Sequence, residues 1–243
     1  MKQCIFEIID NKPLTDSVFQ MKLKGDTEGI KAGQFVNIKL DGLYLRRPIS
    51  VCDCEEGVLT LVIKAVGKGT ELLREMKKGS LDVLTGLGNG YDLAKSGDAP
   101  LLIGGGVGVP PLYKTAKMLL AAGKSVKAVL GFNTASEVFY EAELKELGVD
   151  VTVTTVDGSY GIKGFVTDAV KDIEYSYFYT CGPEPMLKAV YKTAQTSGQF
   201  SFEERMGCGF GACMGCSCKT VTGYKRICKD GPVLEKEEIL WEV

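Results

Sequence analysis

The sequence predicts a β plus α/β protein: an N-terminal antiparallel β-barrel over residues 1–96, a doubly wound parallel α/β domain over 97–198 and a small C-terminal cysteine module over 199–243. Three observations carry this. Short apolar runs broken by Gly, Asp, Asn and Pro recur through the first part, as they do in small closed sheets. Strand-like runs then alternate with helical periodicity, the pattern of a parallel sheet wound with helices. In the last part, four cysteines lie between Cys208 and Cys228 at a metal-ligand spacing.

Barrel strands are read at Cys4–Ile9, Val18–Leu23, Gln34–Leu40, Pro48–Cys52, Val58–Ile63 and Leu81–Leu84. One helix fits Thr70–Lys78, with Thr70 as its N-cap, Lys77 and Lys78 in its last turn and Gly79 as its stop. Two stretches of this part suit an anion. Arg46-Arg47-Pro48-Ile49-Ser50 sets a guanidinium fork and a hydroxyl on one stretch of chain, a pairing for a pyrophosphate and the polar edge of a ring. Gly69-Thr70 opens the helix, where free N–H groups offer a second phosphate contact. Taken alone, Arg47 also reads as an ordinary exposed arginine before an edge proline. Cys4, Cys52 and Cys54 read as small buried residues.

In the α/β part, strands are read at Leu101–Ile103, Val126–Gly131, Val149–Thr155 and Tyr175–Thr180. The helix after Pro110-Pro111 has apolar residues at 112, 116, 119 and 120 and stops at Gly123. Between the first strand and that helix lies Gly104-Gly105-Gly106-Val107-Gly108, a glycine-rich turn that lets backbone approach a dinucleotide phosphate. It is not a G-x-G-x-x-G fingerprint and also reads as a tight βα turn. Cys181-Gly182-Pro183 follows the last strand, at the carboxyl edge where open α/β sheets bind ligands. Cys181 also reads as a buried strand-end thiol.

Cys208, Cys213, Cys216 and the distant Cys228 have the C-x4-C-x2-C…C spacing of plant-type [2Fe–2S] ligands. Glycines at 207, 209, 211 and 215 suit a loop that brings N–H groups close to sulfur. Two other uses of four thiols stand beside this. Structural zinc more often takes two separated C-x2–4-C knuckles. A disulfide framework belongs to secreted chains, and residues 1–10 carry acids where a signal peptide has an apolar core. Cys218 competes with Cys216 for ligand status, but alternation along an extended segment sends it to the opposite face.

Composition narrows the function. The 243 residues are 45% hydrophobic and 25% charged with net charge −2, which gives no footprint for nucleic acid or an anionic membrane surface. No apolar run reaches the roughly 18 residues of a membrane span. Nine cysteines without a secretion signal point to the reducing cytoplasm. The absence of histidine excludes a Ser-His-Asp triad and imidazole acid–base work, whereas electron and hydride transfer rely on cofactors.

The order of these pieces resembles the ferredoxin–NADP reductase superfamily. Nearly the whole chain resembles one family within it, the electron-transfer subunits of bacterial NAD-dependent dihydroorotate dehydrogenase B. Most specific are Arg47-Pro48-Ile49-Ser50, Thr85-Gly86-Leu87-Gly88-Asn89-Gly90, Asp157 to Gly164 and Glu204 to Cys213. The resemblance implies FAD on the barrel, NAD as substrate on the α/β domain and one [2Fe–2S] cluster on Cys208, Cys213, Cys216 and Cys228. It places the FAD phosphates at Arg47, Gly69 and Thr70, Ser50 nearer the ring, and backbone contacts at Val62, Ile63 and Lys64. It implies a partner, an FMN-containing dihydroorotate dehydrogenase catalytic subunit, in a heterotetramer of two catalytic and two electron-transfer subunits. Electrons then pass from dihydroorotate through the partner's FMN, the cluster and FAD to NAD+, in pyrimidine biosynthesis. This chain carries no catalytic acid–base residue in that scheme.

Related small subunits of NADH-dependent ferredoxin:NADP oxidoreductases and sulfide dehydrogenases share the architecture. Their first cluster-ligand position is typically Asp, and here it is Cys208. After the second α/β strand, Leu130 to Glu137 contains no Arg or Lys for a 2′-phosphate, so NAD is expected over NADP, with Glu137 opposing the phosphate. Phe210 and Met214 are expected at the partner interface.

Overall fold

The computed structural model describes residues 1–241. Six strands close the barrel: β1 (Lys2–Pro13), β2 (Val18–Lys24), β3 (Phe35–Ile38), β4 (Arg47–Glu55), β5 (Val58–Lys64) and β6 (Ser80–Leu87), in the order β1-β2-β5-β4-β3-β6. All adjacent pairs are antiparallel. Alternate residues such as Phe6, Met21, Val36, Leu61 and Val83 fill the interior, so one face of each strand supplies the hydrophobic gain. β1 is longer than the expected strand because a register shift between Ile8 and Asp10 lets it bend around the barrel.

Helix α1 (Lys68–Glu75) lies between β5 and β6. It starts before the expected Thr70, and Gly67 holds the N-cap position. Thr70 sits inside the first turn, where its Oγ1 accepts from the backbone N–H groups of Val66 and Gly67 at 2.9 and 3.1 Å. The helix also ends before Lys77, Lys78 and Gly79. Its last carbonyls are taken by Asn11 of β1, whose Nδ2 donates to Leu73 and Met76 oxygens at 2.9 and 2.7 Å. A cap supplied from another strand leaves no local sequence signal.

The second unit contains β7 (Pro100–Gly105), α2 (Pro111–Ala121), β8 (Lys127–Phe132), α3 (Glu141–Glu146), β9 (Asp150–Thr155), β10 (Ile162–Lys163), α4 (Val166–Val170), β11 (Tyr177–Cys181), α5 (Glu184–Thr193) and β12 (Gly198–Ser201). A hairpin follows, β13 (Ser217–Thr220) and β14 (Gly223–Arg226), and then β15 (Val233–Glu235). The large sheet has the order β10-β9-β8-β7-β11-β12-β15. Its pairs are parallel except β12 with β15. The sheet thus runs past residue 198 and takes back the chain after the cysteine segment as an antiparallel edge. The chain winds outward from β7 through β8 to β10, then returns to β11 on the other side of β7. β7 and β11 therefore flank the switch point, where parallel sheets open a crevice at their carboxyl ends.

Barrel and sheet meet through α2 and the turn before α3. Tyr140, in the left-handed region at φ 66°, sends its hydroxyl toward the barrel, where it accepts from Gln20 Nε2 at 2.8 Å and lies 3.1 Å from Cys52 Sγ. Lys117 of α2 pairs with Asp53 and Glu55 of β4 at 2.8 and 2.7 Å. Among the described residues, no helix is long and apolar enough to cross a membrane.

Candidate functional site

The first group of residues lies at a seam of the barrel. The β4–β5 ladder runs only from Val51/Leu61 to Glu55/Val58. Arg47–Ser50 lie beyond its end and pair instead with β3, while Val62–Lys64 pair with β2. The two segments named for a flavin thus face each other where two strands have parted, leaving edge N–H and C=O groups that a bound ring can use. Val62 and Ile63 bury their side chains, so backbone is what they offer; Lys64 and Ser50 are exposed. Arg47 reaches across the start of α1, and a Cβ at Gly69 would collide with its guanidinium. Arg47 and Gly69-Thr70 are therefore brought together, with helix N–H groups beside a cation.

The two arginines differ. Arg46 is bound into the barrel, with its Nη1 on Asp82 Oδ1 at 2.9 Å and on the Asn37 and Asp82 carbonyl oxygens at 3.2 and 3.1 Å. Its hydrogen bond holds the Asp82 carboxyl below the usual carboxylate range. Arg47 bonds only nearby carbonyls, Leu45 O at 2.6 Å and Arg46 O at 3.4 Å, and has no carboxylate partner among the described residues.

The second group sits at the switch point. Register places Cys181 opposite Gly104 at the adjacent ends of β11 and β7, so the Gly104–Gly108 turn packs against the Cys181-Gly182-Pro183 turn. Most of these glycines serve that packing. A Cβ at Gly108 would collide with the Cys181 carbonyl, and one at Gly104 or Gly105 would press on Val109 or Met186. Gly106, at φ 51° with nothing within 4 Å of its missing Cβ, is the open position. It lines a cleft between the units with Lys64, Phe132 and Glu137. Burial pushes the Cys181 thiol up to about 12, so it is neutral there.

Glu137 closes the turn after β8, and its Oε2 accepts from Asn133 N and Nδ2 at 3.3 and 2.8 Å. The Asp157–Gly164 segment braces this turn, with Ser159 Oγ accepting from Ala135 N at 2.8 Å. Sequence reasoning gave Ser159 no role, because its partner lies on another loop.

The third group is the cysteine loop. All nine cysteines are free thiols. The four ligand candidates come as two pairs rather than as one tetrad. Cys213 N–H donates to Cys208 Sγ at 3.4 Å, and Cys228 N–H donates to Cys216 Sγ at 3.4 Å. Among the described residues no three Cys, Asp or Glu groups close on one ion position. Two thiol pairs are the donor set that a two-iron cluster divides between its irons, so these residues fit that group. Burial raises the Cys208 thiol, but N–H groups of Cys213, Phe210 and Ala212 outweigh it and bring the group to about 6. Burial, with the Cys216 thiol alongside, pushes Cys228 up to about 12. Arg226, which sequence reasoning did not single out, ties the loop to the turn after Cys228, donating to Gly211 O at 2.7 Å and to Asp230 Oδ2 at 3.2 Å. Cys218 lies half-buried on β13, opposite Lys225.

The family model for the iron–sulfur cluster binding domain of dihydroorotate dehydrogenase B matches residues 203–240, and that for the oxidoreductase NAD-binding domain matches 102–192. The electron transfer subunit of dihydroorotate dehydrogenase B (NAD(+)) of Bacillus pumilus (strain SAFR-032) is 44% identical over 98% of both chains. That of Geobacillus sp. (strain WCH70) is 43% identical over 99% of both. A solved structure of an NADH-dependent reduced ferredoxin-NADP oxidoreductase superposes with TM-score 0.88 and 32% identity, covering 97% of this chain and 90% of that one. On the strength of near-full-length identity and the matched cluster domain, the chain belongs to the family of electron-transfer subunits of NAD+-linked dihydroorotate dehydrogenase B.

Proposed function

We propose that this chain relays electrons between an FMN-containing dihydroorotate dehydrogenase catalytic subunit and NAD+, in a cytoplasmic heterotetramer of two catalytic and two electron-transfer subunits. The carrying observation is the serial placement of the three groups. Phe35 of β3 belongs to the same buried apolar cluster as Cys216 and Cys228, β3 pairs with the Arg47–Ser50 end of β4, and Lys64 of the parted seam shares a cleft with Gly106. When bound, the cluster handles single electrons and the flavin couples them to the two-electron hydride chemistry of NAD+. The chain's own residues bind and orient. Arg47 and the start of α1 neutralise the flavin pyrophosphate, and the parted edges of β4 and β5 seat its ring. Gly106 admits the nicotinamide dinucleotide beside Cys181. Proton chemistry on dihydroorotate belongs to the partner.

The partner meets the cysteine loop. Phe210 and Met214 are 43% and 61% exposed beside ligand positions, an apolar centre of the kind interfaces use. The cofactor-loaded chain is expected to pass electrons from NADH to an artificial dye without oxidising dihydroorotate, and to support dihydroorotate-dependent NAD+ reduction once the catalytic subunit is added. Phe210→Glu should slow that second reaction roughly tenfold, the scale of about 1.4 kcal/mol at an interface, and spare the dye reaction. Dihydroorotate oxidation by the chain alone would refute the division of labour, and no association with the catalytic subunit would favour the ferredoxin-linked alternative.

NAD is selected over NADP by Glu137. Its carboxylate, held by Asn133 at the end of β8, offers an acceptor to a ribose hydroxyl and repels a 2′-phosphate. Like charges about 4 Å apart cost roughly 1–4 kcal/mol between water and a protein surface, so NADH should reduce the flavin about tenfold or more faster than NADPH. Glu137→Gln should narrow the ratio. Equal wild-type rates with the two nucleotides refute the selection.

A further inference from the structure

We infer that Asn37 is a positioning residue for the electron path: it fixes the Cys208 loop against the strand beside the flavin seam. The inference rests on the cluster and flavin placements proposed above.

Asn37 lies in β3 and is 1% exposed. Its neighbours Val36 and Ile38 point into the barrel core, so Asn37, like Phe35, points outward by strand alternation. That outer face is where the cysteine module rests. Asn37 Nδ2 donates to the carbonyl oxygen of Cys208 at 3.3 Å. The loop is shaped to receive it: Gly209 has φ 74°, and a Cβ there would collide with the Asn37 amide nitrogen. On its other side, register sets Asn37 opposite Pro48 and Phe35 opposite Ser50. Asn37 thus stands between a cluster ligand and the strand segment assigned to the flavin. Its own carbonyl is held by Arg46 at 3.2 Å, so the strand cannot shift freely beneath it.

Packing alone does not account for this residue. Asn37 Oδ1 is buried with no hydrogen-bond partner among the described residues. A buried amide left half satisfied is destabilising, and leucine would fill similar space without that cost. What asparagine supplies and leucine does not is the directed bond to Cys208.

The test uses the full-length, cofactor-loaded chain with its catalytic subunit and two variants, Asn37→Leu and Asn37→Asp. Stopped-flow mixing with NADH reads flavin bleaching and cluster bleaching separately, and EPR reads the reduced cluster. Flavin bleaching is expected to keep its wild-type rate in both variants. Cluster bleaching should slow severalfold, with altered EPR g-values. Asn37→Leu preserves bulk and removes a desolvated group, so it gives the answer even where the carboxylate variant does not fold. Unchanged cluster rate and EPR in Asn37→Leu overturn the role. Equal slowing of both bleaching steps overturns it too, since Asn37 then supports only the fold. A wild-type chain without an iron–sulfur signal removes the underlying reading of the site, whereas a normal wild-type signal with unaltered variants removes only the inference about Asn37.

Discussion

Cys213→Ala is expected to abolish dihydroorotate-dependent NAD+ reduction while leaving NADH-to-dye electron transfer intact. A two-iron cluster takes four thiolates, and removal of one leaves an iron with an open position in a half-exposed loop. Cys213 contributes twice, since its backbone N–H also bonds Cys208 Sγ at 3.4 Å. That bond is one of those bringing the Cys208 thiol to about 6, so at neutral pH it is a thiolate, the form that binds metal. The flavin seam is built from β4 and β5 and takes no residue from the cysteine loop, so the dye reaction should survive. Cys218→Ala is the control: its thiol sits on the β13–β14 hairpin outside the two pairs, and the cluster should remain. Wild-type protein purified without oxygen should contain about two iron and two acid-labile sulfide per chain. Stoichiometric zinc without sulfide, or an unchanged EPR signal in Cys213→Ala, would refute the ligand assignment.

The features legible in the sequence are those whose chemistry is local. Cys208, Cys213 and Cys216 announce themselves because three thiols fall within nine residues of one loop. The barrel and the wound sheet were legible through periodicity, which reports which face of each strand is buried. What stayed hidden depends on partners far along the chain. The Gly104–Gly108 turn reads both as room for a phosphate and as a tight βα turn, and the sequence does not show that Val109, Met186 and the Cys181 carbonyl lie against Gly104, Gly105 and Gly108. Thr70 looked like an N-cap because Ser and Thr favour that position, but Gly67 occupies it and Asn11 caps the far end from β1. The parted seam between Arg47–Ser50 and Val62–Lys64 is a matter of register, which composition does not report. Asn37 carries no motif and gains meaning only when β3 meets Cys208.

Arg47→Ala is expected to weaken FAD binding by on the order of 10- to 100-fold, from loss of charge-assisted hydrogen bonds worth roughly 1.5–3 kcal/mol. The structure explains why this arginine and not its neighbour. Arg46 is committed to Asp82 at 2.9 Å and to two strand carbonyls, so Arg46→Ala should lower barrel stability by leaving a half-buried carboxylate unpaired, with FAD affinity much less affected. Arg47 bonds only the Leu45 and Arg46 carbonyls and extends over Gly69 at the start of α1, where helix N–H groups add to its field. Arg47→Lys should recover part of the affinity, since the charge stays but the two-pronged fork is lost. Gly69→Val should mimic Arg47→Ala without touching the arginine, because the new side chain must push the guanidinium off the helix start. Titration of the flavin-depleted chain with FAD, followed by flavin fluorescence, measures all four variants on one scale. An Arg47→Ala chain that binds FAD as the wild type does would move the pyrophosphate elsewhere on the barrel. Loss of affinity in Arg46→Ala equal to that in Arg47→Ala would show that the whole segment, rather than one guanidinium, sets the site.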